Sequence, residues 1–296
     1  MRAGEVFRGT LERLDRAFTV ELLASAPEEG EGILKPPVRD DDIVSAARRN
    51  AFARVLVGLV HADGAADVHE IAQVELRTGR ITGRRPVSAA DLLAAETPIG
   101  EGIECLAERP FYLVLRHRKV TGILTRADFN KLPVKTYLNT LLVRLEAVLD
   151  EAVEKEWPDG GWLRLLSADQ RLKISDLFER RQRQDREIPL LSCAQLPDKF
   201  VLGRRIPGLN GVFKEAGGRR RDVTDEILAL RNDLAHGRDP VRGSADDAVG
   251  VPGNTRGIPS GGIAKLRSQV DCIRALIDRV SDFCETSGCP PGRTPT

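Results

Sequence analysis

The sequence predicts an α+β protein in which a region of alternating helices and strands precedes an all-helical region. Between residues 36 and 135, short apolar runs such as 55–60 and 120–124 alternate with segments of helical character. After this region, leucine and valine recur every three or four positions, which indicates amphipathic helices. With 296 residues, the chain is long enough to bury a separate core in each region.

The first region contains two tandem units after a predicted helical extension over residues 1–35. The predicted segments of the first unit are a helix at 43–52, strands at 55–60 and 68–74, and a helix start at 87–91. Those of the second unit are a helix at 99–107, strands at 111–115 and 120–124, and a helix start at 125–128. Because the order repeats, we expect two similar units side by side.

The string from Gly122 to Asp128, GILTRAD, carries a family resemblance. It is similar to the nucleotide-site string of CBS domains, and residues 36–135 as a whole resemble a tandem CBS pair. The resemblance implies that Thr125 and Asp128 contact the ribose of an adenine nucleotide (AMP, ADP or ATP) and that Gly122 allows its close approach. A capping box at a helix start explains the same threonine and aspartate without any ligand.

The second region, residues 136–287, is predicted to be helical throughout. A long first helix is indicated by the spacing of Leu138, Leu141, Leu142, Leu145, Val148, Leu149 and Val153. Further helices are expected from Ser167, over 192–202, from Val223 and over 263–285. The segment 237–262 is rich in glycine, proline and charge, which predicts a mobile loop, and residues 288–296 are predicted to be a disordered tail.

The end of the helix that begins near Val223 has the sequence RNDLAH, from Arg231 to His236. An arginine can hold a phosphate with two hydrogen bonds, and a histidine can move a proton near neutral pH. The string resembles the signature of HEPN domains, an all-α family rich in metal-independent ribonucleases. The resemblance implies that Arg231, Asn232 and His236 are catalytic and that cleavage leaves a 2′,3′-cyclic phosphate.

Residues five positions apart lie about 140° apart around a helix, so Arg231 and His236 do not share one face. They converge only if the helix end frays at Gly237 or if two copies meet. In HEPN ribonucleases the site is typically built from two copies across a two-fold axis. The alternative is a purely structural role, in which both side chains only donate hydrogen bonds to carbonyl groups at the helix end.

RNA contact is expected from arginines in loops around this helix, namely Arg219, Arg220, Arg221 and Arg238, which can follow a phosphate backbone. Solvated loop charge explains them equally well. The net charge is only +1, so any RNA-binding patch has to be local. Aromatic residues make up 4% of the chain, which argues against base stacking as the mode of recognition.

The function expected from these features is a metal-independent endoribonuclease, gated by an adenine nucleotide and acting as a homodimer through both regions. The resemblance to HEPN domains also implies a role as a stress or anti-phage toxin. The alternative is a non-catalytic, nucleotide-sensing regulator whose helical region binds RNA or protein. Five scattered cysteines without a CxxC pair, and the lack of a signal peptide or apolar membrane segment, predict a cytoplasmic protein without a metal site.

Overall fold

The computed structural model describes residues 11–26, 33–50, 54–62, 65–184, 188–215, 223–241 and 260–286. It confirms the mixed α+β class, with strands in the first part of the chain and helices in the second. The chain divides into two compact units. The sheet unit comprises Leu14–Tyr137 and Asp239–Arg267, and the helical unit comprises Met1–Arg13, Leu138–Arg238 and Ser268–Thr296.

The described residues of the sheet unit form seven strands, with three helices before or between them. The strands are β1 (Ile33–Leu34), β2 (Arg54–Val60), β3 (Ala66–Glu75), β4 (Arg80–Pro86), β5 (Leu92–Ala94), β6 (Phe111–Arg116) and β7 (Lys119–Thr125). The helices are a short α1 over residues 11–17, which runs on into the helical unit, α2 (Asp40–Asn50) and α3 (Ile99–Glu108). The strand order is β1-β2-β3-β7-β6-β5, with β4 added beside β3.

A repeat of strand, helix, strand and strand underlies this order. In the first copy β1 is parallel to β2 and β2 is antiparallel to β3, and in the second copy β5, β6 and β7 repeat the arrangement. The two copies meet where Ala66 of β3 pairs with Val120 of β7. Each copy contains a helix followed by two strands, with an additional short parallel strand before the helix.

Two segments of the sheet unit differ from the prediction. Strand β4 was not expected, because its sequence is polar and almost every residue in it is exposed, so it lacks the alternation that marks a half-buried strand. The helix predicted from Val87 is only a short 3-10 turn, Ala89–Asp91. In addition, residues 14–35, assigned from the sequence to a separate extension, supply β1 and a 3-10 turn to the sheet unit.

Buried apolar side chains form two clusters on the sheet. One cluster joins both repeats through Ile33, Leu56, Ala66, Ile71, Leu113 and Val120. A second cluster packs α2 onto β2 and β3 through Ile43, Ala46, Ala47, Val55, Ala72 and Val74. Burial of such side chains is the main source of stability for a sheet covered by helices.

The helical unit is built from α4 (Leu132–Glu156), α5 (Ala168–Gln182), α6 (Leu196–Gly203), α7 (Asn210–Glu215), α8 (Val223–Ala235) and α9 (Ser260–Thr286). Unit boundaries fall inside α4, between Tyr137 and Leu138, and inside α9, between Arg267 and Ser268. All seven residues of the predicted apolar stripe of α4 are buried, as are the apolar residues at helical spacing in α9, namely Leu266, Val270, Ile273, Ile277 and Val280. The helix expected over 192–202 is divided into a 3-10 turn, Leu190–Cys193, and α6, which begins just before Pro197.

The predicted mobile loop, 237–262, is shorter in the structure. In the sheet unit the backbone of Val241 exchanges two hydrogen bonds with the side chain of Asn130, at 2.9 and 3.1 Å. Helix α9 already begins at Ser260. Residues 242–259 and the predicted disordered tail, 288–296, lie outside the described residues. In the part of the chain that the structure describes, no helix is both long and apolar enough to cross a bilayer.

Candidate functional site

Helix α8 is anchored by its buried stripe of Val223, Ile227, Leu230 and Leu234. Its first turn is attached to α6, because Arg204 donates to Thr224 Oγ1 at 2.7 Å. The same turn is attached to α9, because Gln269 donates to the carbonyl of Glu226 at 3.1 Å. The helix therefore has a fixed rotation about its axis, and its other face is presented to solvent.

Arg231, Asn232 and His236 all lie on the exposed side of α8. The guanidinium of Arg231 donates from Nη1 to Asn232 Oδ1 at 3.3 Å. Asn232 is thus placed to orient the arginine directly. Leu230 and Leu234, on either side of Arg231 in the sequence, are buried, whereas Arg231 itself is exposed.

The end of α8 does not fray at Gly237. The N–H of His236 still donates to the carbonyl of Asn232 at 3.0 Å, as in the body of a helix. Gly237 adopts φ +68°, and its N–H donates to the carbonyl of Leu234 while Arg238 N–H donates to that of Asp233 at 2.8 Å. This pair of bonds is a Schellman motif, which requires the left-handed conformation that glycine adopts most readily.

The cap decides between the two ways in which Arg231 and His236 could meet. Because the helix is regular through His236, the two side chains leave it about 140° apart. No hydrogen bond joins them in the described structure. A site that uses both residues therefore needs a second copy of α8 or another molecule to bring them together.

Of the four arginines expected to contact RNA, the structure describes Arg238. Arg238 is exposed and donates from Nη1 to Asp233 Oδ1 at 3.3 Å, so it stays next to the motif. Arg219, Arg220 and Arg221 lie outside the described residues. One basic side chain is thus placed beside His236 among the arginines that the sequence singled out.

Thr125 and Asp128 meet at the end of β7, and Gly122 lies three residues earlier in the strand. Asp128 is buried and closes a capping box, accepting from the N–H of Thr125 at 2.6 Å and from its Oγ1 at 2.7 Å. Its second oxygen accepts from Ser25 Oγ at 3.4 Å and is ion-paired with Lys131 at 2.7 Å. Both carboxylate oxygens are therefore already engaged within the protein.

The close approach that Gly122 permits is used by the chain itself. Residues 18–25, which we name the N-terminal strap, run along the second repeat. Ser25 and Ile123 exchange two backbone hydrogen bonds at 2.9 and 3.0 Å. A Cβ on Gly122 would lie 2.5 Å from Ala24 Cβ and 3.3 Å from the carbonyl oxygen of Ser25. The strap thus lies against the glycine where a ligand was expected.

We expect Gly122→Ala to lower the stability of the protein by about 1–3 kcal/mol, the usual cost of forcing a methyl group into a filled space. The strap cannot easily move away, since its backbone is bonded to β7. Gly83→Ala is the matched control: it also lies in a strand, and nothing lies within 4 Å of its added Cβ. Urea unfolding of both variants measures the difference. Equal midpoints for the two would mean that the strap does not occupy this place in solution.

Sequence reasoning missed a counterpart of this capping box in the first repeat. Ser88 donates from its N–H and its Oγ to Asp91 Oδ2, at 2.9 and 2.8 Å, as Thr125 does to Asp128. The available signal was Ser88-Ala89-Ala90-Asp91, which has the spacing of Thr125-Arg126-Ala127-Asp128. Asp91 is bound there by Arg85, with two hydrogen bonds of 2.6 Å, so this position is closed by an ion pair.

The described residues contain no group of three or more histidine, cysteine, aspartate or glutamate side chains arranged to hold a metal ion. Comparison of the chain with protein-family models, with curated proteins and with solved structures finds no match.

Proposed function

We propose that the chain is a HEPN-type endoribonuclease that needs no metal and whose active site is completed by a second copy of helix α8. The observation that supports the proposal is the exposed set of Arg231, Asn232 and His236 on a helix end closed by a Schellman motif. A rigid helix end fixes the position of each group, but a single copy keeps the arginine and the histidine apart. A two-fold dimer that pairs α8 with α8 brings both copies of the motif close together, because the same surface patch of each copy forms the interface.

In the proposed reaction the 2′-oxygen of RNA attacks the adjacent phosphorus while the bond to the 5′-oxygen breaks. His236 of one copy, acting beside Arg231 of the other copy, takes the proton from the 2′-hydroxyl. The departing 5′-oxygen takes a proton from water, and the hydroxide so formed removes the proton held by His236. Arg231, oriented by Asn232, stabilises the negative charge that develops on the phosphate oxygens. The products are a 2′,3′-cyclic phosphate and a 5′-hydroxyl, and no redox partner or metal takes part in this balance.

Regulation by an adenine nucleotide in the sheet unit is the second part of the proposal. It is supported by the tandem repeat of strand, helix, strand and strand and by the GILTRAD string. A nucleotide ribose at Gly122, Thr125 and Asp128 would compete with Ser25 for the carboxylate of Asp128 and with Ala24 for the space above Gly122. Binding at this place is therefore coupled to displacement of the N-terminal strap, which gives a ligand a means of shifting a conformational equilibrium.

The test is incubation of the full chain with transfer RNA and ribosomal RNA in EDTA, with and without ATP or AMP. We expect discrete fragments that end in cyclic phosphate, and we expect Arg231→Ala to remove most of the cleavage. Arg183→Ala is the control, since Arg183 is an exposed residue just after α5 and pairs with Glu179 four residues away. Equal cleavage by both variants would exclude Arg231 from the site.

The alternative function is a non-catalytic regulator, which is favoured by the engagement of the motif arginine with its own neighbour Asn232 and by the two-repeat sheet unit. Intact RNA under every condition, together with measurable binding of AMP or ATP, would establish this alternative. The same assay thus separates the two functions.

A further inference from the structure

Four arginines of the sheet unit lie close to one another. Arg54 is the first residue of β2, Arg85 is near the end of β4, Arg109 precedes β6 and Arg126 follows β7. We call these four residues the arginine cluster. Neither the proposed ribonuclease site nor the GILTRAD site uses them as a group.

Strand register places Arg126, and side-chain contacts place Arg54, Arg85 and Arg109, near the starts of β5 and β6. Phe111, the first residue of β6, pairs with Thr125, so Arg126 comes directly after this pair. The guanidinium carbon of Arg54 lies 5.2 Å from the centroid of the Phe111 ring, in cation–π geometry. β5 runs beside β6, with Leu92 next to Leu113, which places Asp91 at the same end of the sheet.

Asp91 is the acidic centre of this region and is fully occupied. Its side chain is 4% exposed and binds Arg85 through both oxygens, while Arg109 Nη1 lies 3.6 Å away. The bidentate contact with Arg85 holds the pKa of Asp91 far below its usual range, and Ser88 adds to the effect. One carboxylate thus neutralises one arginine, and the outer sides of Arg85 and Arg109 remain about half exposed to solvent.

Arg54 is an arginine of the cluster that stacks on an aromatic ring. It is partly buried on the ring of Phe111, and no carboxylate of the described residues forms an ion pair with it. Burial lowers the pKa of Arg54, and the positive charges of Arg85 and Arg126 lower it further. Stacking on a ring leaves the edge of a guanidinium, with its N–H groups, available to an anion.

We propose that the arginine cluster binds the phosphate chain of a small polyphosphate ligand, such as a nucleoside triphosphate. Guanidinium groups recognise phosphate oxygens with paired hydrogen bonds, and several of them together require a ligand with more than one negative charge. A phosphate chain is narrow enough to reach a partly buried arginine, whereas the backbone of an RNA helix needs an open groove. This inference requires neither RNA cleavage nor a nucleoside bound at Gly122, Thr125 and Asp128, so its test is independent of the proposed function.

The test is calorimetric titration of the full chain with inorganic triphosphate in low salt and without divalent cations. We expect saturable binding that Arg54→Gln weakens about tenfold or more, since a charge-assisted contact is lost. Arg84→Gln is the matched control: Arg84 is next to Arg85 on β4 but points the other way along the alternating strand and pairs with Glu70 and Asp40. We expect it to bind like the unaltered chain.

Each further arm supports or overturns the proposal. Tighter binding of ATP than of inorganic triphosphate, with the same loss in Arg54→Gln, would support a nucleotide, and equal binding would support recognition of the phosphate chain alone. If Arg54→Gln does not fold, as judged by thermal unfolding, Arg109→Gln replaces it, because the Arg109 side chain is 44% exposed. Absence of binding, unchanged binding in the variants, or displacement of triphosphate by short RNA at lower concentrations than by ATP would overturn it.

Discussion

Replacing His236 with alanine is expected to lower RNA cleavage by about 10²–10⁴-fold, the usual contribution of a general acid or base. RNA affinity should stay nearly unchanged, because His236 is exposed at the end of α8 and its imidazole carries no contact that holds the fold. Cleavage rates at saturating RNA and equilibrium binding to the same RNA measure the two quantities separately.

The control is His69→Ala, since His69 is also exposed but lies on β3 of the sheet unit. Its cleavage rate should equal that of the unaltered chain. If the His236→Ala variant cleaves RNA at the full rate, His236 is neither the acid nor the base of the reaction. A variant that loses cleavage and RNA affinity together would instead make His236 a binding residue.

The regular helix end makes a sharper version of this experiment possible. Arg231→Ala and His236→Ala are each expected to be inactive, yet mixed dimers of the two should contain one site with an intact arginine and an intact histidine. With random pairing, half of the dimers are mixed and each holds one of two sites, so co-expression should restore about a quarter of the activity. Activity no higher than in either single variant would show that each site needs both copies of one residue.

The second large effect is expected at Lys199, which is buried in the helical unit. Its side chain is 4% exposed and Nζ lies 2.8 Å from Asp150 Oδ2 and 3.7 Å from Glu146 Oε2. The other oxygen of Asp150 is buried without a hydrogen-bond partner in the described structure. Burial raises the pKa of Asp150, and the ammonium of Lys199 opposes this effect.

Lys199→Met should therefore lower the free energy of unfolding by about 3 kcal/mol, near the lower end of the range for a broken buried pair, because Asp150 keeps some contact with water. The double variant Lys199→Met/Asp150→Leu should recover most of the lost stability, because it also removes the buried carboxylate that Lys199→Met leaves without its lysine partner. Lys173→Met removes a cation from an exposed pair with Asp169 and should leave stability nearly unchanged. Urea unfolding at neutral pH measures all three.

The dependence on pH follows from the direction of the Asp150 shift. A carboxyl whose pKa is raised in the folded state binds a proton more readily there than in the unfolded chain, so stability falls as pH rises through the interval between the two values. The deficit of Lys199→Met should thus be smallest below the ordinary pKa of aspartate and grow toward neutral pH. A deficit that is constant from acidic to neutral pH would mean that lost packing, and not the charge of Asp150, causes it.

Much of the fold could be predicted because it follows from local periodicity. The apolar stripe of α4, with Leu138 and Leu145, recurs at the helical period, and the hairpin of β6 and β7 consists of short runs of β-forming residues. The stop at Gly237 was also foreseeable, because a glycine after the last apolar position is typical of a helix end. These features depend on neighbours within a few residues, which a single sequence shows directly.

Edge strand β4 and the division of 192–202 were not predictable in the same way. The exposed sequence of β4 becomes a strand because β3 offers it a row of backbone hydrogen bonds, which is a tertiary property. Asn130 likewise fixes Val241 although they are 111 positions apart in the chain. Such pairings depend on the topology of the whole chain, which the local sequence pattern does not show.

For the candidate sites, the sequence by itself determined the residue types and their spacing: Arg231 and His236 at a helix end, and Thr125 and Asp128 at a strand end. Only the tertiary structure decided what those residues face. It closed the helix end, so that Arg231 and His236 diverge, and it brought Ser25 to Asp128 from 103 residues away. The physical reason is that spacing along one element fixes direction about its axis, whereas contact between elements is set by how the whole chain packs its apolar surface.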